Sequence, residues 1–217
     1  MGYWRPPLAV IAVFVLAITG SGGIARADAD QPGVARGSDW DGVVVGSPDA
    51  PVQLEIFIEP QCPHVAELES GYGDQIAGFL GGGRLAVTYR PLTFLDDRKH
   101  NDTSARISNA LFLAADPATS ATAYQAFVQD VYRHQHQGGS SNDDVAAWAR
   151  ESGIPDSVAT RIAAGDRAVD VDAMAAANTG RLKAENPANP STPTVYDLNA
   201  NRVIDIQDSG WLDNLLG

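Results

Sequence analysis

One sulfur limits the chemistry open to this chain. Cys62 is its only cysteine, and it stands in the run Pro60-Gln61-Cys62-Pro63-His64. A lone cysteine makes no internal disulfide and cannot build a cysteine-based zinc or iron–sulfur centre. As a thiolate it can still attack a disulfide. Pro63 suits the first turn of a helix, where its missing N–H leaves no bond unmade. Cys62 would then stand at the start of that helix, where free N–H groups and partial positive charge favour a thiolate. His64 could add a positive charge or a hydrogen bond. The competing reading of Cys62 is a small buried hydrophobe without a chemical role. Glu59, three residues before it, reads as a solvated strand end.

The elements that must hold this corner are legible on both sides of it. Residues 52–58 are β-rich and mostly apolar, as in a central strand. From Pro63 to Leu80, the residues Val65, Leu68, Tyr72, Ile76, Phe79 and Leu80 recur at helical intervals, and Gly81-Gly82-Gly83 ends the run. Residues 85–89 form a second strand, and residues 43–45 a further strand candidate. Cys62 thus falls at the strand-to-helix corner of a β-α-β unit. Five helical patterns follow. The first, through Ile107, Ala110, Leu111 and Ala114, has a cap at Asp102 or Thr103. Ser141-Asn142-Asp143-Asp144 caps the third, Pro155 opens the fourth and Gly165 closes it, and the fifth covers roughly residues 167–182. A proline-rich loop over 186–193 leads to strands at 194–198 and 203–206 and a last helix carrying Trp211, Leu212, Leu215 and Leu216.

This order and these motifs together resemble the DsbA-like thioredoxin-fold proteins. Cys62-Pro63-His64 stands where that family carries Cys-Pro-His-Cys, and the helices over about 102–182 stand where it inserts a helical subdomain. Thr192-Pro193-Thr194 resembles its cis-proline loop. Tyr89-Arg90-Pro91-Leu92-Thr93-Phe94-Leu95 is similar to the stretch after the second core strand in secreted actinobacterial members. The resemblance implies an α/β thioredoxin-like domain over 43–217, with Cys62 and His64 as catalytic residues and Pro63, Thr192 and Pro193 as the substrate-binding groups. It also exposes a departure, because Val65 replaces the second cysteine. Dithiol cycling needs that sulfur to resolve the mixed disulfide from within the same molecule. The expected role is therefore monothiol redox or mixed-disulfide work on exported polypeptides or low-molecular-weight thiols. The alternative is a degenerate, non-catalytic binding or chaperone-like module.

The remaining composition narrows the setting. The chain has 217 residues and a net charge of -12, which disfavours nucleic-acid binding. Apolar residues make up 44%, enough to build a core. Arg5, an apolar run over 8–18 and Ala25-Arg26-Ala27 read as a signal peptide over residues 1–27, placing the protein in the secreted fraction or cell envelope. The run is short for a bilayer core of about 30 Å, so membrane contact follows only if the segment stays uncleaved. Residues 28–42 read as a flexible tail, with Trp40 unassigned. His134 and His136 read as solvated or C-capping residues at a helix end, and Asp197, Asn199, Asn201 and Asp208 as a turn rather than a calcium loop, since Arg202 fills the glycine position. Asn101-Asp102-Thr103 matches a glycosylation sequon. No metal and no cofactor is expected.

Overall fold

The computed structural model describes residues 1–2, 33–135 and 139–217. Most of the expected signal segment, the start of the tail and His136 lie outside the described residues. Among the described residues six strands form one sheet in the order β1-β2-β4-β3-β5-β6. They are β1 (Gly33–Arg36), β2 (Val43–Gly46), β3 (Val52–Ile58), β4 (Leu85–Pro91), β5 (Thr194–Asp197) and β6 (Arg202–Val203). Strands β3 and β4 run parallel, joined through α1 (Pro63–Gly81), and the other pairs are antiparallel. Between β4 and β5 lie α2 (Phe94–Lys99), α3 (Thr103–Ala114), α4 (Ala121–Arg133), α5 (Asn142–Glu151), α6 (Asp156–Ala164) and α7 (Val171–Glu185), and α8 (Trp211–Leu216) closes the order. This is an α/β thioredoxin-like fold with a helical insertion.

The central strands are covered on both faces. Leu54, Ile56 and Ile58 of β3 join Val87 and Tyr89 of β4 and Ile76 of α1 in the main core. Phe57, which alternation turns to the other face, packs with Leu92 and with Leu182 of α7. All seven residues of β4 are buried. The helix ends follow local chemistry. Ser141 and Asp144 form a reciprocal capping box on α5, and Gly165 ends α6 with φ of 70°. Helix α3 is capped from outside its own sequence. Asp96 of α2 accepts hydrogen bonds from Ser104 N and Ala105 N, both at 2.8 Å, while Asp102 makes no side-chain cap.

Three sequence expectations need correction. Residues 33–36 are not a loose tail but strand β1, which pairs with β2 and buries Val34. The hairpin tip is fastened by Asp39, which pairs with Arg90 Nη2 at 2.6 Å, and by Asn178 Nδ2, which donates to the Asp41 carbonyl at 2.8 Å. Trp40 stands exposed at that tip. A sixth helix, α2, precedes the five expected ones, and helix α7 starts at Val171 because Asp170 accepts from Ala173 N. Arg90 itself donates to Glu55 Oε1 through Nε and Nη2, and Arg181 of α7 donates to Glu55 Oε2 at 2.8 Å.

Candidate active site

Strand β3 and helix α1 meet at Cys62, which is the N-cap residue of α1 with extended backbone, and Pro63 fills the first helical position. The corner is closed by Cys62 N donating to Glu59 O at 2.9 Å. The Cys62 residue is only 7% exposed. Its thiol donates to the carbonyl of Thr192 at 3.5 Å. The Thr192–Pro193 peptide is cis. A contact across 130 residues of chain thus joins the sulfur to the proline-bearing loop ahead of β5.

The residues around the sulfur separate into three groups. Pro63, Thr192 and Pro193 share its neighbourhood. His64 does not engage the sulfur: its side chain is 70% exposed, and Nδ1 meets Glu67 Oε2 at 3.1 Å. Val65 is fully buried in the main core, so the place of a second sulfur is taken by packing.

Glu59 corrects the sequence reading most sharply. It is not solvated but 0% exposed, because the start of α3 covers it. Its carboxylate accepts from the Ser104 hydroxyl and from Gln61 N at 2.8 Å. Burial raises its pKa to about 7, against the lowering effect of those bonds. Gln61 is buried beside it and donates Nε2 to Asp96, Asn101 and Ser104, while Asn101 Nδ2 returns a bond to Gln61 Oε1 at 3.1 Å. A glycan on Asn101 Nδ2 would break that exchange. Gln135, just past α4, donates Nε2 to Pro60 O at 2.7 Å and Cys62 O at 3.1 Å. The helical insertion therefore grips the corner at four residues that carry no local sequence signal: Gln61, Asp96, Ser104 and Gln135.

A groove of about 530 Å³ runs along the other side of the corner. His64, Pro193, Val203, Ile204, Asp205 and Ile206 contribute to it. Asp197 accepts from Asn199 N at 2.9 Å and Ala200 N at 3.0 Å in the β5–β6 turn. Among the described residues no group of three or more His, Cys, Asp or Glu side chains gathers where it could hold a metal ion. Nor is any described helix long and apolar enough to cross a membrane.

A sulfur at a strand-to-helix corner, set against a proline loop and flanked by a helical insertion, defines a thioredoxin-fold protein. A thioredoxin family model (Thioredoxin_4) matches residues 38–212, and the chain belongs to that family. Among curated proteins it is similar to serine/threonine-protein kinase PknE of Mycobacterium tuberculosis, with 31% identity over 190 residues. That alignment covers 82% of this chain but spans about a third, 32%, of the kinase's length. Among solved structures it is similar to MdbA, a thiol-disulfide oxidoreductase from Corynebacterium diphtheriae, with 20% identity, a TM-score of 0.70, and coverage of 90% of this chain and 100% of that one. Reduced DsbA from Mycobacterium tuberculosis superposes with a TM-score of 0.58 at 20% identity, over 76% of this chain and 85% of that one. At these identities the structural likeness establishes the fold.

Proposed function

We propose that this chain is an exported, cell-envelope thiol protein that exchanges disulfides through Cys62 alone. The observation that carries this reading is the Cys62 sulfur at the start of α1, 3.5 Å from the Thr192 carbonyl and beside an open groove. The thiolate of Cys62 attacks one sulfur of a substrate disulfide R–S–S–R′, forming Cys62–S–S–R and releasing R′–S⁻. An outside thiolate R″–S⁻ then attacks the R-side sulfur of the mixed disulfide, forming R–S–S–R″ and releasing the Cys62 thiolate. No net oxidation occurs, and no proton or electron is left unaccounted for. The backbone around Thr192 and Pro193 would pair with an extended polypeptide, in the manner of strand addition. Low-molecular-weight thiols would serve as the releasing partner. The name of MdbA as a thiol-disulfide oxidoreductase supports the redox side of this reading. His64 belongs in it as a group of the groove rim, since its ring pairs with Glu67.

Mass measurement of the intact protein after incubation with a disulfide-bearing peptide tests the proposal. A single covalent adduct, removed by a small thiol and absent in Cys62→Ser, is the expected result. Absence of any adduct in the folded wild-type protein overturns it. The burial of Cys62 and the packing of Val65 favour a second reading, a non-catalytic polypeptide-binding module. That reading expects partner capture to be unchanged in Cys62→Ser.

A further inference from the structure

The groove beside Cys62 has a marked distribution of charge. Pro193, Ile204 and Ile206 give it an apolar floor, and Val203, 38% exposed at the open edge of the sheet, extends that floor outward. Among the described residues no lysine or arginine lines it. Asp205 does, and it is exposed, with no ion-pair partner among the described residues; its Oδ1 accepts only the Gln207 backbone N–H at 3.0 Å. His64, which also lines the groove, pairs with Glu67, which is 74% exposed. The nearby Arg202 stands opposite Asp197 in the β5–β6 ladder and is not part of the lining.

We infer that this groove selects a polypeptide segment carrying lysine or arginine beside its reactive cysteine, the cation facing Asp205 and apolar neighbours resting on Val203 and Ile206. The inference rests on the proposed disulfide exchange and adds to it the substrate's charge. An apolar strip holds a chain without regard to sequence, whereas an unpaired carboxylate at its edge discriminates by charge. The net charge of -12 draws cationic peptides towards the whole molecule, so a local preference must be separated from this general attraction.

Two peptides that differ only in lysine or glutamate next to a cysteine, each activated as its 2-thiopyridyl disulfide, provide the test. Attack by Cys62 forms the protein–peptide disulfide and releases 2-thiopyridone, whose absorbance reports the rate. The lysine peptide should react about threefold or more faster at low ionic strength, the size expected of one or two exposed charge pairs. Raising salt to about 500 mM should narrow the ratio. Asp205→Asn should lower the ratio by about half or more, while Asp49→Asn, the same charge change in a distant exposed turn, should leave it near the wild-type value. Equal rates for both peptides, or equal effects of the two substitutions, overturn the inference and leave the exchange reading standing. If no thiopyridone is released, the exchange reading fails instead. Fluorescence anisotropy with labelled peptides bearing serine for cysteine then still decides the charge preference, by tighter binding of the lysine peptide or its absence.

Discussion

Replacing Glu69 by glutamine should make the protein more stable at neutral pH and leave it nearly unchanged in mild acid. Glu69 lies on α1, 2% exposed, between α1 and the aromatic side of α4. One oxygen accepts from Gln125 Nε2 at 2.7 Å, and the other has no partner. Burial raises its pKa from 4.5 to about 8, against the weaker opposing effect of that bond. The folded protein therefore binds a proton that the unfolded chain releases. Stability from this group is complete below about pH 4.5, declines as pH rises, and levels off above about pH 8. Between about pH 4 and pH 7 the loss is about 3 kcal/mol, from 1.36 kcal/mol per pH unit over the interval in which only the unfolded chain is ionised. Glutamine keeps the acceptor for Gln125 and cannot ionise. Urea titrations followed by tryptophan fluorescence suit the measurement, because Trp148 and Trp211 are buried. The stability of Glu69→Gln should fall less with pH than that of the wild type, the two diverging by about 3 kcal/mol at pH 7. Parallel pH profiles would show that Glu69 is ionised and solvated, and would refute the burial argument.

Other outcomes follow from the same contacts. Val65→Cys should place a second thiol three residues after Cys62 and give the folded protein catalytic activity in insulin reduction. An inert variant with native circular dichroism would mean that the corner is aligned wrongly. Arg90→Met should destabilise the fold by about 3 kcal/mol in chemical denaturation, since it removes one of the two arginines held by the buried Glu55. A loss below about 1 kcal/mol would assign the neutralisation of Glu55 to Arg181 alone.

The β-α-β frame was readable because its elements carry their own punctuation. Residues 52–58 are mostly apolar, with Val52, Leu54, Ile56 and Ile58 on one face, Pro63 marks the start of α1 and Gly81-Gly82 its end, and Ser141 with Asp144 marks α5. The position of Cys62 followed from that frame alone. What escaped were elements and contacts stabilised only at a distance. Strand β1 has one buried residue, Val34, and exists through pairing with β2 and the Asp39–Arg90 link. Helix α2 is six residues long, too short to show a period, and buries none of them. Glu59 reads as solvated in the sequence because a charge beside a proline has no local reason to be covered. Its cover is Ser104, 45 residues further on. Gln135 reaches Cys62 O across 73 residues, and no spacing rule connects them.

Val65 sets what kind of chemistry the corner can support. In a dithiol protein the second sulfur competes for every mixed disulfide at an effective concentration in the millimolar range or above. Here that place is filled by a branched apolar side chain with no exposure, so the first turn of α1 is fixed by packing. On the proposed reading, the lifetime of a Cys62 adduct is then set by the outside thiol, which must reach a residue 7% exposed. The polar network beneath the corner does not open that route. Gln135 holds the Cys62 carbonyl from the side of the helical insertion, while Thr192, whose carbonyl meets the thiol, lines the groove with His64 and Pro193. On the proposed reading the outside thiol reaches the sulfur through that groove. A bound polypeptide would occupy that same groove. Release should therefore slow as the trapped segment becomes longer and more ordered, and the adduct of a short disulfide should be cleared faster than that of a long one at equal thiol concentration. Equal release rates would mean that the releasing thiol reaches the sulfur by another path, and that the groove does not control the exchange.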